Sequence, residues 1–336
     1  MAARAKKPFS VGKMRELEHK NMTIQKSTSR IWIALISVYL IWGSTYLAIL
    51  YVVKTIPPFM AGGMRFLSAG LVLFLWRLSK GDSLPTRRQW RDTGIIGSLL
   101  LVGGYGMVSW SEQFVPSGIA ALLISTVPVW MVTIESLRPG GEKPTLKVAI
   151  GLLLGIGGVA LMIGPGELSH EIGALHPMGL IALPFGALLW SLGSVYSKSA
   201  DLPSSSLMTT SAEMLVGGIG MFIVATFRSE WKGFTFGMVE NASWIGLLYL
   251  AVFGSLGGFV AYAYLLKNAP ISLVSTYAYV NPIIAILLGA WVAQESLNGR
   301  TILAATIILG AVILITTTRA SPKPSTKRKR SKPINL

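Results

Sequence analysis

Cysteine is absent from the 336 residues, and histidine occurs only three times. Without cysteine there is no disulfide framework, no thiol nucleophile and no Cys-ligated metal or iron–sulfur site. His19, His170 and His176 all fall outside the apolar blocks, so histidine chemistry inside those blocks is excluded. Charge is also scarce, at 13% of residues, against about 25% in a soluble domain. Acidic side chains are the scarcer sign, 14 against 30 basic ones, which leaves a net charge of +16. No G-x-x-x-x-G-K-[ST] phosphate loop is found, which argues against a nucleotide-driven pump; no cofactor is expected.

Apolar residues fill the space that charge leaves. They make up 52% of the chain, and the mean hydropathy is +0.58. They come in blocks of about twenty, enough to cross a hydrocarbon layer of about 30 Å. The blocks predict spans over roughly 31–53, 57–77, 93–113, 117–137, 145–163, 178–200, 206–227, 243–266, 271–294 and 299–318. The loops between them average fewer than about ten residues, which leaves no room for a soluble catalytic domain. The expected fold is all-α and polytopic, with ten transmembrane helices. Basic tails over 1–30 and 319–336 flank two halves, 31–163 and 178–318.

Lys and Arg divide unevenly between alternate sides of these spans, 25 against 4, with Arg65 inside a span. The positive-inside rule therefore puts both termini in the cytoplasm. The charge reads as a topology signal and a lipid-facing one, so no nucleic-acid partner is expected. Lys327-Arg-Lys-Arg330 resembles a nuclear localisation run, but a solvated tail near anionic lipid accounts for it. The polar, basic first thirty residues lack the short apolar core of a cleaved signal peptide.

The two halves repeat one another. An offset of 148 pairs Trp42 with Trp190 and Arg65-Phe-Leu-Ser-Ala-Gly70 with Glu213-Met-Leu-Val-Gly-Gly218. An offset of 154 pairs Gly103-Gly104 with Gly257-Gly258, Trp110 with Tyr264, Pro116 with Pro270 and Pro128 with Pro282. One further gap pairs Glu142 with Glu295 and Gly157 with Gly310. Ordered matches across five spans argue for an internal repeat. An odd number of spans per half inverts the second half in the membrane, a device that transporters use to exchange inward-open and outward-open states.

Substrate sites in such folds lie near the midplane. Trp42, Ser44 and Tyr46 sit near the centre of span 1, and Trp190 near the centre of span 6. Pro128 and Pro282 are central in spans 4 and 9. Each proline should free a backbone carbonyl, that of Ile124 or Ala278, beside Ser125, Thr126 and Asn281. Tyr277 and Asn281 share one helical face. The candidate substrate-binding residues are Trp42, Ser44, Tyr46, Trp110, Thr126, Trp190, Tyr262, Tyr277, Tyr279 and Asn281; the competing reading is core packing and simple kinks. Arg65 and Glu213 are deep charges on spans 2 and 7. They suit a substrate or proton site, or a structural ion pair. Glu112 and Glu135 lie at span ends, where exposure is cheap. Gly151-Leu-Leu-Leu-Gly155 permits close helix packing, within a monomer or across a homodimer.

Trp42-Gly-Ser-Thr-Tyr46, Arg65-Phe-Leu-Ser-Ala-Gly70, Val115-Pro-Ser-Gly-Ile-Ala-Ala121 with Thr126-Val-Pro128, Glu213-Met-Leu215 and Ser275-Thr-Tyr-Ala-Tyr-Val-Asn-Pro282 resemble the EamA-type carriers of the drug/metabolite transporter superfamily, most of all a YedA-like bacterial inner-membrane subgroup. The resemblance covers about 31–318. It implies ten helices, cytoplasmic termini, a multi-pass inner-membrane location, and export or facilitated transport of metabolites. It also implies a central cavity walled by spans 1, 3, 4, 6, 8 and 9, with spans 2 and 7 behind it.

The expected function is a secondary transporter moving small metabolites such as amino acids by alternating access, with a small-molecule substrate, membrane lipid and a proton as partners. A cationic-compound exporter uses the same aromatic residues. An intramembrane lipid-modifying enzyme is the rival from another class, but no histidine or buried lysine serves as its base. A receptor or scaffold leaves the repeated midplane residues without a role.

Overall fold

The computed structural model describes residues 11–115, 120, 123–163, 177–293 and 299–317. Among these the structure is all-helical, with no strand. The helices are α1 (Val11–Val53), α2 (Pro58–Ser79), α3 (Arg87–Ser111), α4 (Val127–Leu137), α5 (Leu146–Ile163), α6 (Pro177–Tyr196), α7 (Ser206–Phe227), α8 (Asn241–Asn268), α9 (Tyr277–Ala293) and α10 (Gly299–Thr316). Seven are long and apolar enough to cross a membrane: α2, α3, α6, α7, α8, α10 and the Thr28–Val53 part of α1. The other three apolar stretches, Val127–Leu137, Leu146–Met162 and Ile271–Ile284, are shorter. His170, His176, Pro116, Glu295 and the C-terminal tail lie outside the described residues.

Local chemistry sets several helix starts. α2 begins with Pro58, whose missing N–H costs nothing at a first helical position. α3 starts six residues before the predicted span because Thr86 and Gln89 form a capping box: the Gln89 N–H donates to the Thr86 hydroxyl, and the Thr86 N–H donates to the Gln89 side chain. The Ser205 hydroxyl accepts from the Met208 N–H at the start of α7.

The two prolines at supposed midplane breaks behave differently. Pro128 takes a first-turn position of α4, after a turn at Ser125–Thr126. Pro282 lies inside α9, and the interruption falls earlier, at Ser275–Thr276, after the single helical turn Ile271–Val274. The expected matching break at Pro282 is therefore displaced. A third proline, Pro184, lies inside α6.

α3 and α8 share a feature that composition does not reveal. Each carries a π-helical segment, Ser98–Tyr105 in α3 and Leu250–Phe259 in α8. The paired glycines Gly103-Gly104 and Gly257-Gly258 lie within them. π-Segments interrupt the regular hydrogen-bond ladder and collect at functional sites.

The most extensive helix pairings are preserved when each helix of the first half is exchanged for its counterpart in the second. α2 packs on α7, and α5 on α10. α1 packs on α8 and α9, as α6 does on α3 and α4; α2 also meets α8, as α7 meets α3. Glycines make the α2–α7 contact a close one. A β-carbon on Gly218 would lie 2.7 Å from the Leu67 backbone nitrogen, and one on Gly70 would lie 3.0 Å from that of Leu215. These two approaches are related by the same offset of 148.

The loops define two ends. At one, the Asp92 carboxylate accepts from the Asp201 N–H (2.8 Å) and the Tyr196 hydroxyl (3.1 Å), and Lys267 Nζ donates to the Ser204 carbonyl (3.3 Å). This is the α6–α7 end. At the other, the Thr55 hydroxyl donates to Ser243 (2.7 Å), and Glu230 accepts from the Met60 N–H at the start of α2 (2.9 Å). This is the α7–α8 end.

Candidate functional site: a central cavity and an aromatic partition

Trp42 of α1 and Trp190 of α6 meet edge to face, with ring centroids 5.5 Å apart and planes at 80°. Phe259, Tyr262 and Tyr277 close round them. Trp42 lies 5.5, 5.0 and 5.1 Å from those three rings, and Trp190 lies 5.6 Å from Phe259 and 5.5 Å from Tyr262. Both indoles are oriented by hydrogen bonds. Trp42 Nε1 donates to the Gly254 carbonyl (3.1 Å), and Trp190 Nε1 donates to the Tyr262 hydroxyl (3.0 Å), which also bonds Ser194 (2.7 Å). Each indole rests on a glycine of the other half. A side chain on Gly258 would collide with Trp42, and one on Gly104 would approach Trp190 to 2.7 Å.

The rings separate two cavities. The first is walled by Trp42, Tyr46, Arg65, Tyr105, Trp190, Phe259, Tyr277 and Asn281, with Thr45, Ile49, Val108, Ile124 and Val127 filling the rest. The second opens beside the α6–α7 loop. It is lined by Glu213, Tyr262, Lys198, Lys267 and several residues between Ser197 and Thr209. Phe259 is common to both walls.

Arg65 is deeply buried yet lines the first cavity rather than standing behind it. Its Nε donates to the Ser255 hydroxyl (2.8 Å), and its guanidinium lies 4.7 Å from the Phe66 ring centroid and 4.8 Å from that of Tyr105. Glu213 faces the second cavity instead. Among the described residues no ion pair joins the two, so the structure does not contain the structural pair allowed by their repeat positions.

Of the ten candidate substrate-binding residues, Trp42, Tyr46, Trp190, Tyr277 and Asn281 come together on the first cavity, and Tyr262 lines the second. The other four point elsewhere. The Ser44 hydroxyl bonds the Ile41 carbonyl (2.7 Å) and the Tyr249 hydroxyl (2.6 Å). The Thr126 hydroxyl donates to the Leu123 carbonyl (2.6 Å) where α4 starts. Tyr279 turns toward α5, donating to the Leu152 carbonyl (3.1 Å). Trp110 packs on Phe114 at the α7–α8 end, 5.1 Å from the Arg228 guanidinium.

Tyr105 and Phe259 belong to the wall and are not among the sequence candidates. The offset that pairs Gly103 with Gly257 also pairs Tyr105 with Phe259, two positions on. That was a usable signal.

At the α7–α8 end, outside the spans, burial pushes the Glu230 carboxyl above its ordinary range, while the Met60 N–H and the Arg228 guanidinium, 3.8 Å away, pull it back down.

A buried aromatic cavity between long apolar helices, with deep polar groups on its wall, defines a membrane protein that handles a small solute. Comparison with known proteins specifies the class. The model of the EamA-like transporter family matches residues 29–164 and 177–317, one copy on each half, and the chain belongs to that family. It is a multi-pass membrane transporter and not an enzyme. The chain is 37% identical to the uncharacterized inner membrane transporter YedA of Escherichia coli K12, over 84% of its own length and 89% of the relative's. It is 28% identical to the uncharacterized transporter YoaV of Bacillus subtilis (86% and 97% covered), and 24% identical to the chloroplastic WAT1-related protein At3g02690 of Arabidopsis thaliana (84% and 69% covered). A solved crystal structure of 19% identity shares the fold, with a TM-score of 0.68 over 87% of this chain and 97% of its own.

Proposed function

We propose that this chain is a secondary carrier of the bacterial inner membrane that exports small amino-acid-like metabolites by alternating access. The observation that carries the reading is the aromatic partition, with a cavity on either side of it. Apolar walls with a few fixed polar groups are the usual composition of small-molecule sites. Arg65 supplies one charge for a substrate carboxylate.

Two inverted five-helix repeats are part of the proposal. The matching of the main helix pairings between the halves, the paired π-segments and the one-per-half family match support it. Alternating access follows from such a duplication, because the two halves can trade conformations about a shared site.

The test is an export screen. Cells expressing the chain should accumulate less of one or more amino acids or toxic analogues than cells expressing Trp42→Ala or Trp190→Ala at equal folded amounts. Equal accumulation in all three strains across the panel refutes the reading. Topology is tested separately in the cysteine-free background. An impermeant thiol reagent should label Lys232→Cys in intact cells and spare Ser83→Cys. Reversed labelling overturns the cytoplasmic placement of the termini.

A further inference from the structure

Glu112 follows the last turn of α3, a place where a carboxylate is ordinarily left in interfacial water. Here it is 8% exposed, and neither carboxylate oxygen has a hydrogen-bond partner among the described residues. The Asn281 amide oxygen on α9 is in the same condition: the residue is 2% exposed, lines the central cavity, and leaves that oxygen unpartnered among the described residues. Tyr46 of α1, also on the cavity wall, links the two, since its hydroxyl engages the Asn281 side chain and lies within electrostatic reach of Glu112. Two helices thus carry acceptor oxygens without donors, the Asn281 oxygen on the cavity wall and the Glu112 oxygens within electrostatic reach of Tyr46 on the same wall.

Proteins leave very few buried polar atoms unsatisfied, and an unpaired carboxylate is the costliest of them. What these oxygens lack is a positive charge bearing several N–H donors. A primary ammonium has one charge, three donors and no acceptor. The Trp42 and Tyr277 rings on the same wall add faces that attract a cation. We propose that Glu112 and Asn281 form a subsite for the primary ammonium group of the transported solute. The proposal rests on the central cavity being the solute's binding place. With Arg65 on the wall, an α-amino acid meets an opposite charge for each of its own.

The experiment compares 2-phenylethylamine with 2-phenylethanol, which have the same ring and chain with and without the cation. Binding to the full-length chain in lipid nanodiscs is measured by calorimetry at pH 7. The wild type should bind the amine at least tenfold more tightly than the alcohol. Glu112→Gln should reduce that preference to threefold or less, through weaker amine binding and unchanged alcohol binding. A wild type without the amine preference, or a Glu112→Gln variant that keeps it, overturns the subsite. If Glu112→Gln does not yield folded protein, Asn281→Leu takes its place with the same expected loss of preference, and retention again refutes the proposal. Trp42→Ala tests the cavity itself: it should weaken both compounds, the amine at least as much as the alcohol. Unchanged binding of both in Trp42→Ala refutes the cavity reading whatever the Glu112 variant does.

Discussion

Trp42 and Trp190, 148 positions apart, touch edge to face at the centre of the molecule, and each lies on a glycine from the opposite half. The contact ties the two repeats to each other through their equivalent residues. Aromatic pairs of this geometry contribute about 0.5–1.5 kcal/mol beyond simple area burial. A double-mutant cycle with Trp42→Leu and Trp190→Leu, read by thermal unfolding in detergent, should return a coupling within that range. Independent effects would show that the rings are neighbours without being partners.

The glycines sort by what faces them. Gly218 stands against the Leu67 backbone, which no rotamer change can move aside, whereas nothing lies within 4 Å of a β-carbon on Gly157 or Gly310. Gly218→Ala should destabilise by about 1–3 kcal/mol through overpacking. Gly157→Ala, in a helix with open space around it, should be neutral or stabilising by up to about 1 kcal/mol. Unfolding temperatures of the two variants decide the point; equal values contradict the close α2–α7 approach.

Arg65 and Glu213 should act independently. Arg65 is held by Ser255 and two aromatic rings, and Glu213 lines the other cavity. Arg65→Gln and Glu213→Gln should add in the double variant to within about 0.5 kcal/mol, as separated sites do. Rescue of one by the other would restore the ion-pair reading. Ser255→Ala should resemble a mild form of Arg65→Gln, since it removes an acceptor of the buried guanidinium.

Glu230 gives a pH dependence whose sign follows from its raised carboxyl. A group whose folded pKa exceeds its unfolded value contributes stability at pH below the unfolded value, and loses it as pH rises through the folded one. Wild type and Glu230→Gln should therefore be closest in stability near pH 4, with the wild type falling behind as pH rises toward 7. Gln retains an oxygen to accept from the Met60 N–H, so the comparison isolates the charge. A gap that widens in the opposite direction would mean that the helix start and Arg228 outweigh burial.

How far the site could be read from sequence depended on which coordinate it required. Depth along a span was legible, and it placed Trp42, Trp190, Tyr277 and Asn281 at the right level. Azimuth was not. Ser44 and Tyr279 share that level but turn to Tyr249 and Leu152, because the helix each one faces is settled only by assembly. Glu112 failed for a related reason. Distance from the span end suggested water, but burial depends on what packs across from α3. The π-segments left no compositional trace, since a changed hydrogen-bond ladder needs no special residues beyond the glycines already noted. Pro128 did mark a helix boundary, while Pro282 was absorbed within α9.

The aromatic partition has a mechanical consequence. Its two tryptophans occupy equivalent positions in the two halves and touch, so they lie where an exchange of the halves maps each onto the other. A body that turns about a line is displaced least on that line and most at its rim. If one half rocks against the other, the indole pair serves as the fulcrum, and the loop ends sweep the larger arc. A barrier of a single ring layer can then remain nearly stationary while the openings on either side of it widen and narrow.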